Sequence, residues 1–375
     1  MPILQYVERP GILDLSWGHP PLDALPTRAW AAAMAAALDS YGGRALTYGH
    51  GAGPQPLIDW LCGRLGGTRP EESFITAGAS HALELITTLL AQRGDVVIAD
   101  SPTYHLALRI LGDHHVELVG APADSDGIDP AGTAGLIASL RARGRRVPLL
   151  YLVPTFANPT GRSLPGERRR ALVELADRYG VTVVEDDTYR ELAYGAPAPP
   201  SLWSLARGAP VVRIGSFAKT VAPGLRLGWV NADPALVRRL TELGYVFSGG
   251  GVNHATAMAM AAFGASGAYE DHLRAVRERY AAQRDALVAA LRRAGAGVLP
   301  PDGGWFLWLR LPAGRSATAL LPAAERAGVS YVAGPSFYVG GGGDEYVRLS
   351  FSMLGPAQLT EAASRLGRAL AQRAP

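Results

Sequence analysis

The sequence predicts an α/β protein: a large domain with a mainly parallel sheet covered by helices, then a smaller α+β C-terminal domain. Three observations lead there. Between about residues 70 and 235, short Val/Ile/Leu-rich runs alternate with helical patterns, the signature of strand–helix units. Those runs are apolar throughout rather than every second residue, as strands buried on both faces are. Beyond about residue 270 the pattern changes to one long amphipathic segment and then to alternating strands. The expected division is 1–45 as an N-terminal arm and part of the small domain, 46–270 as the large domain, and 271–375 as the small domain. A bridging helix is expected over about 271–294.

Element by element, "SFITAG" reads as a strand leading into the helix "SHALELITTLLAQRG", and "DVVIAD" as one leading into "TYHLALRILGD". "HVELVGAP" precedes "PAGTAGLIASLRARG", and "PLLYLVP" precedes "PGERRRALVELADRYG". "VTVVEDD", "PVVRIGSF" and "RLGWVNAD" complete the sheet. "EDHLRAVRERYAAQRDALVAALRRAG" is the long helix, and "GGWFLWLRLP", "GVSYVAGPSF" and "DEYVRLSFS" are strands of the small domain. "GGGG" (340–343) is expected to be a mobile turn between two of them, and "PAQLTEAASRLGRALAQR" a last helix. Ligands of parallel sheets gather at the carboxyl ends of the strands. The polar clusters "TAGAS", "ADSPTYH", "FANPTG", "EDDTY" and "GSFAK" all fall at such ends and should meet in one crevice.

Composition narrows the function. At 375 residues, 48% hydrophobic and 18% charged, with a net charge of +3, the chain reads as a compact globular protein. The basic runs "RARGRR" (141–146) and "ERRRAL" (167–172) have no interleaved aromatics, so solvated faces are expected rather than a nucleic-acid surface. A single cysteine, Cys62, excludes an internal disulfide framework. No uncharged apolar run long enough to span a bilayer occurs, and the N-terminus lacks a secretory pattern. No membrane partner and a cytoplasmic location are expected.

One residue asks for chemistry. Lys219 is the only lysine, since every other member of the 36 Lys+Arg is arginine. Arginine serves wherever a charge or donor is needed, but only a lysine becomes a neutral amine and attacks a carbonyl. Lys219 has no charged neighbour within five residues on either side and follows the apolar run "PVVRIGSF". It does not belong to a GxxxxGK[ST] phosphate loop. Glu185, Asp186 and Asp187 in "EDDTY" could form a solvated turn or a metal site, but no His/Cys cluster accompanies them, so no metal is expected. Taken singly, Asn158 reads as an Asn-Pro turn and Tyr104 equally as a core or a site residue, whereas Tyr48 in the core, Arg226 beside a surface acid and Arg348 in solvent are alternatives that the surrounding motifs disfavour.

In the order and spacing of "TAGASHAL", "FANPTG", "VVEDDTY", "SFAKTVAPGLRLGW" and "VRLSFS", the chain resembles the class I/II aminotransferases of the fold-type-I pyridoxal-phosphate (PLP) group. The likeness runs from "GHPP" near residue 18 to "RLSFS" near 350. The resemblance implies that Lys219 forms a Schiff base with PLP and later carries the proton at the substrate α-carbon. It places Asp186 beside the pyridine nitrogen, Tyr189 and Asn158 at the phenolic oxygen, and Tyr104 on the ring face. The phosphate is expected on the amides of Gly78 and Ala79, on the Ser80 and Ser216 hydroxyls and on the Arg226 guanidinium. Tyr48 would reach the phosphate of the neighbouring subunit, implying a homodimer with shared sites. Arg348 would bind the substrate α-carboxylate, with Gly18 and Asn158 close by.

The implied activity is ping-pong transfer of an amino group between an amino acid and a 2-oxo acid. The same ring-tuning residues would equally serve decarboxylation, elimination, replacement or C–C bond formation in specialised metabolism, and that remains the alternative. Ligand-sensing regulators on this scaffold carry an N-terminal DNA-binding domain, and only about 45 residues precede "LTYG" here, which favours the enzyme. The segment "YVFSGGGVNHATAM" (245–258) holds no arginine for a second substrate carboxylate. Its glycines would either leave room for a bulky side chain or form a tight turn.

Overall fold

A computed structural model of the chain describes residues 9–371. Seven strands form the central sheet: β1 (Ser73–Thr76), β2 (Val96–Ala99), β3 (Glu117–Gly120), β4 (Leu149–Leu152), β5 (Thr182–Asp186), β6 (Val211–Ser216) and β7 (Gly228–Asn231). Their spatial order is β1-β7-β6-β5-β4-β2-β3. β7 runs antiparallel to both its neighbours, and the remaining pairs are parallel. A single reversed strand lets the connection 217–227, which includes the 3-10 turn Pro223–Leu225, join β6 to β7 without crossing the sheet.

Period-two alternation sorts the apolar runs onto two faces. Phe74, Val97, Tyr151, Val184 and Ile214 pack on one side, among residues of the helices Ala79–Leu90 and His105–Asp113. Ile98, Leu150, Leu152, Val183 and Val211 pack on the other, among residues of Pro130–Ala142, Gly166–Tyr179 and Leu202–Leu205. The helices start and stop where their sequences specify. Asp129 accepts from the amides of Ala131 and Gly132, and Gly180 closes Gly166–Tyr179 in the left-handed conformation.

The "ERRRAL" run departs from a purely solvated face. Arg169 is fully buried, and its guanidinium donates to the carbonyls of Leu164, Pro154 and Pro200 and to Thr155, with Glu185 at 3.7 Å. Helical geometry turns the middle arginine inward while Arg170 stays exposed. A guanidinium inside the fold is tolerated because its fork of donors finds carbonyls and a carboxylate.

The small sheet consists of β8 (Phe306–Arg310), β9 (Val332–Ala333) and β10 (Tyr346–Ser350), with β10 central and antiparallel to both. The glycines of 340–343 all have positive φ and turn the chain between β9 and β10. The helix Ala268–Arg293 buries Tyr269, Leu273, Val276, Tyr280, Leu287 and Leu291, a stripe at helical spacing. That stripe shares one apolar cluster with Leu15, Ile75, Phe217, Trp305 and Val347, so the core runs unbroken from the large sheet into the small one. Near the N-terminus, Leu13–Asp14 pairs with Val329–Ser330, and the helix Thr27–Tyr41 lies against His254–Ala265.

Candidate active site

The parallel strands deliver their polar ends to one cavity of about 690 Å³. Its wall contains Ala79, Ser80, Tyr104, Asn158, Asp186, Tyr189, Ser216, Lys219 and Arg226, together with Gly18 and Arg348. Gly78, the residue before the helix Ala79–Leu90, adjoins this group through Arg226. Tyr48 lies elsewhere, 88% exposed, beside Gly249.

Lys219 follows β6 in a turn closed by Val221 N–H donating to the Phe217 carbonyl. Two buried residues that precede it, Phe217 and Ala218, set the turn into the core. Its Nζ lies 5.0 Å from the Trp305 ring centroid and 5.9 Å from that of Tyr189. Burial, helped by the cations Arg348 and Arg226 and opposed by Asp186, pushes the amine down to about 8. A neutral, nucleophilic fraction is therefore present near neutral pH.

The three consecutive acids separate by strand alternation. Asp186 faces the cavity, accepting a 2.8 Å hydrogen bond from the Tyr151 hydroxyl, and burial raises its pKa. Glu185 points to the opposite face, where it accepts from the amides of Leu202 and Trp203 at the start of a helix. Asp187 is held by Arg213 and Arg190, whose guanidiniums keep its carboxyl low despite full burial. Among the described residues no group of three or more His, Cys, Asp and Glu side chains could hold a metal.

Tyr151 was not singled out by sequence, because it sits inside the apolar run "PLLYLVP". Its register partner on β5 is Val184, two residues before Asp186 and therefore on the same face. Only the strand pairing reveals that neighbour.

The helix Ala79–Leu90 begins at Gly78 with no side chain capping its amides, and they point where an anion is favoured. Gly78 has φ +99°, and a Cβ there would come within 2.7 Å of Arg226 Nη2. A side chain would fill the cradle that the helix end, Ser80 and Arg226 share. Arg226 Nη2 also donates to the Ala77 carbonyl, which ties it to this turn. Ser216 accepts from Ala218 N–H, leaving its hydroxyl proton for another acceptor.

Arg348 on β10 is buried across the cavity from Lys219. It donates to Asn158 Oδ1 at 2.9 Å and to the Ser16 carbonyl, and lies over the rings of Phe306 and Phe337 at 4.3 and 5.0 Å. Its Nε is buried without a partner. Desolvation lowers its pKa to about 10, so it stays a cation at neutral pH. A Cβ on Gly18 would approach a Phe306 ring atom to 2.7 Å, so the chain passes directly over that ring. Asn253, in the segment 245–258, caps the helix His254–Ala265 by accepting from Thr256 N–H, and it is absent from the cavity wall.

A buried reactive amine, a buried carboxylate, an open helix end with hydroxyls and a guanidinium, and a further guanidinium facing them suit PLP. They match, in turn, its aldehyde, ring nitrogen and phosphate, and the carboxylate of an amino acid.

The comparisons agree. The family described as aminotransferase class I and II matches residues 10–366. A 2-aminoadipate transaminase of Thermus thermophilus is 33% identical, with 98% of this chain and 92% of the relative aligned. The solved kynurenine aminotransferase of Pyrococcus horikoshii, in complex with PMP, is similar at a TM-score of 0.90 and 30% identity, covering 96% of this chain and 91% of that one. A solved α-aminoadipate aminotransferase from Thermus thermophilus, complexed with N-(5'-phosphopyridoxyl)-L-leucine, gives a TM-score of 0.85 and 33% identity, covering 96% and 92%. The chain belongs to the class I/II aminotransferases of fold type I, and it is a PLP-dependent enzyme that moves an amino group between an amino acid and a 2-oxo acid.

Proposed function

We propose that the amino acid enters between Lys219 and Arg348, its α-carboxylate on the guanidinium and its α-carbon toward the amine. The observation that carries this is that both groups are buried in the wall of one cavity, Arg348 with an unpartnered Nε. PLP bound there supplies an aldehyde and an electron-withdrawing ring. Asp186, braced by Tyr151, would keep a proton on the ring nitrogen. Asn158 and Tyr189 would hold the phenolic oxygen, and Tyr104 would cover one face. The open helix end at Gly78 and Ala79, with Ser80, Ser216 and Arg226, would bind the phosphate. Lys219, neutral in part near pH 8, would take the α-proton and return it on the neighbouring carbon. Arg348, held from below by Asn158 and Ser16, orients the α-carboxylate so that the α C–H bond faces Lys219. Leu106, Ile110 and Val332 in the cavity wall favour amino acids with large, largely apolar side chains.

Arg348→Gln tests the carboxylate assignment. Loss of a desolvated, charge-assisted pair is expected to lower kcat/KM about 10²–10³-fold for every amino acid, whatever its side chain. Unchanged kinetics would place the α-carboxylate elsewhere.

We further assign the working unit as a homodimer in which Tyr48 completes the phosphate site of the neighbouring subunit. Tyr48 is exposed together with the large apolar side chains Leu46, Tyr245 and Phe247, a surface that contact with a second copy would cover. Mixing a Lys219→Met chain with a Tyr48→Ala chain gives hybrid dimers in which one site keeps both native residues. Activity above that of either parent is expected, and no recovery in verified hybrids would overturn the shared-site arrangement.

A further inference from the structure

The cavity has a second guanidinium that the chemistry above leaves unused. Arg109 lies on the helix His105–Asp113, one turn beyond His105, and both residues line the cavity. Arg109 is exposed, and among the described residues it forms no ion pair or side-chain hydrogen bond. Arg145, Arg146 and Arg168, elsewhere on the large domain, each pair with a carboxylate.

His105 sits between the two cations, since Arg348 and Arg109 both act on its ring. Burial and those two charges push it down to about 3, so it stays neutral. Its ring is edge-on to Tyr104 and Phe337, at 5.6 and 5.0 Å. The wall therefore presents a deep cation, a neutral spacer and an outer cation in series. The segment 245–258 contributes no arginine.

We propose that Arg109 determines specificity for substrates with a second carboxylate, pairing with that distal group at the cavity mouth while Arg348 holds the α-carboxylate. The ligand class is a dicarboxylic amino acid or 2-oxo acid whose two carboxylates lie several bonds apart. Arg109 also explains how such an enzyme avoids rejecting apolar side chains. Being exposed, its guanidinium keeps its water when an apolar chain fills the pocket, so no buried charge is left unpaired. When a carboxylate arrives, the planar fork replaces that water with paired donors. One cavity then serves an apolar donor and an acidic acceptor in alternate halves of the reaction.

The proposal rests on the assignment of Arg348, and the experiment separates the two. Holoenzyme of wild type, Arg109→Gln, Arg109→Lys and Arg348→Gln is compared with glutamate, 2-aminoadipate, leucine and phenylalanine as donors. Arg109→Gln is expected to lower kcat/KM about 5- to 50-fold for the two acids, through KM, and to leave leucine and phenylalanine within about twofold. Arg109→Lys should restore part of the loss. Equal losses on all four donors, or no loss on the acids, overturn the role of Arg109. If Arg348→Gln instead leaves all four donors unaffected, the α-carboxylate assignment has failed, and this proposal with it.

Discussion

Replacing Lys219 with methionine is expected to lower transamination by about 10⁴-fold or more, since the proposed proton-transfer group at the α-carbon would be gone and no other lysine exists to replace it. Methionine fills nearly the same volume, so the loss belongs to the amine and not to a cavity. A second signature follows from burial. In the cofactor-free protein the amine titrates near 8, so the rate of PLP capture should rise with pH and level off above that value. The folded pKa lies below the ordinary 10.5. Below pH 8 the buried ammonium therefore opposes folding, and the penalty fades as pH rises from about 8 toward 10.5. The cofactor-free methionine variant should accordingly melt at a higher temperature than wild type at pH 7, with the gap closing in alkali. Retained transamination in this variant, measured as oxo acid released, would remove Lys219 from the mechanism.

Asp186→Asn should separate activity from stability. The amide keeps an oxygen for the Tyr151 hydroxyl, now at 2.8 Å from Asp186, but removes the negative charge. If Asp186 holds a proton on the ring nitrogen as proposed, kcat/KM is expected to fall about 10²–10³-fold. The fold should hold or gain, because desolvation already raises the Asp186 pKa and the neutral amide escapes that cost. Urea unfolding of the cofactor-free proteins alongside steady-state kinetics reads both effects. Activity near wild type would remove Asp186 from the ring site, and an equal collapse of stability would make its role structural.

Much of this was legible in the sequence for local reasons. The strand runs "VVIA", "LLYL" and "TVVED" announce themselves because a strand buried on both faces must be apolar at successive positions. The polar clusters after them mark the carboxyl ends, where ligands of parallel sheets collect. Lys219 stands out because the chain uses arginine at every other cationic position, and amine chemistry is a reason to keep the exception. Alternation along β5 was enough to send Glu185 and Asp186 to opposite faces.

What the sequence left open depends on which strand lies beside which, and which helix face turns inward. Tyr151 meets Asp186 only because β4 and β5 pair in the observed register. The middle arginine of "ERRRAL" is buried while Arg170 is exposed, because helix packing supplies carbonyls and Glu185 on one face alone. Arg109 gains meaning from standing one turn beyond His105 on a cavity wall. Asn253 caps a helix, and Tyr48 is exposed at the surface of the chain. The amino-acid sequence thus determined the elements, the lone amine and the crevice where polar ends meet, since each follows from side-chain type and short-range periodicity. Tertiary structure alone decided the partners of Asp186, Glu185 and Arg169, because these are set by contacts between segments far apart in the chain.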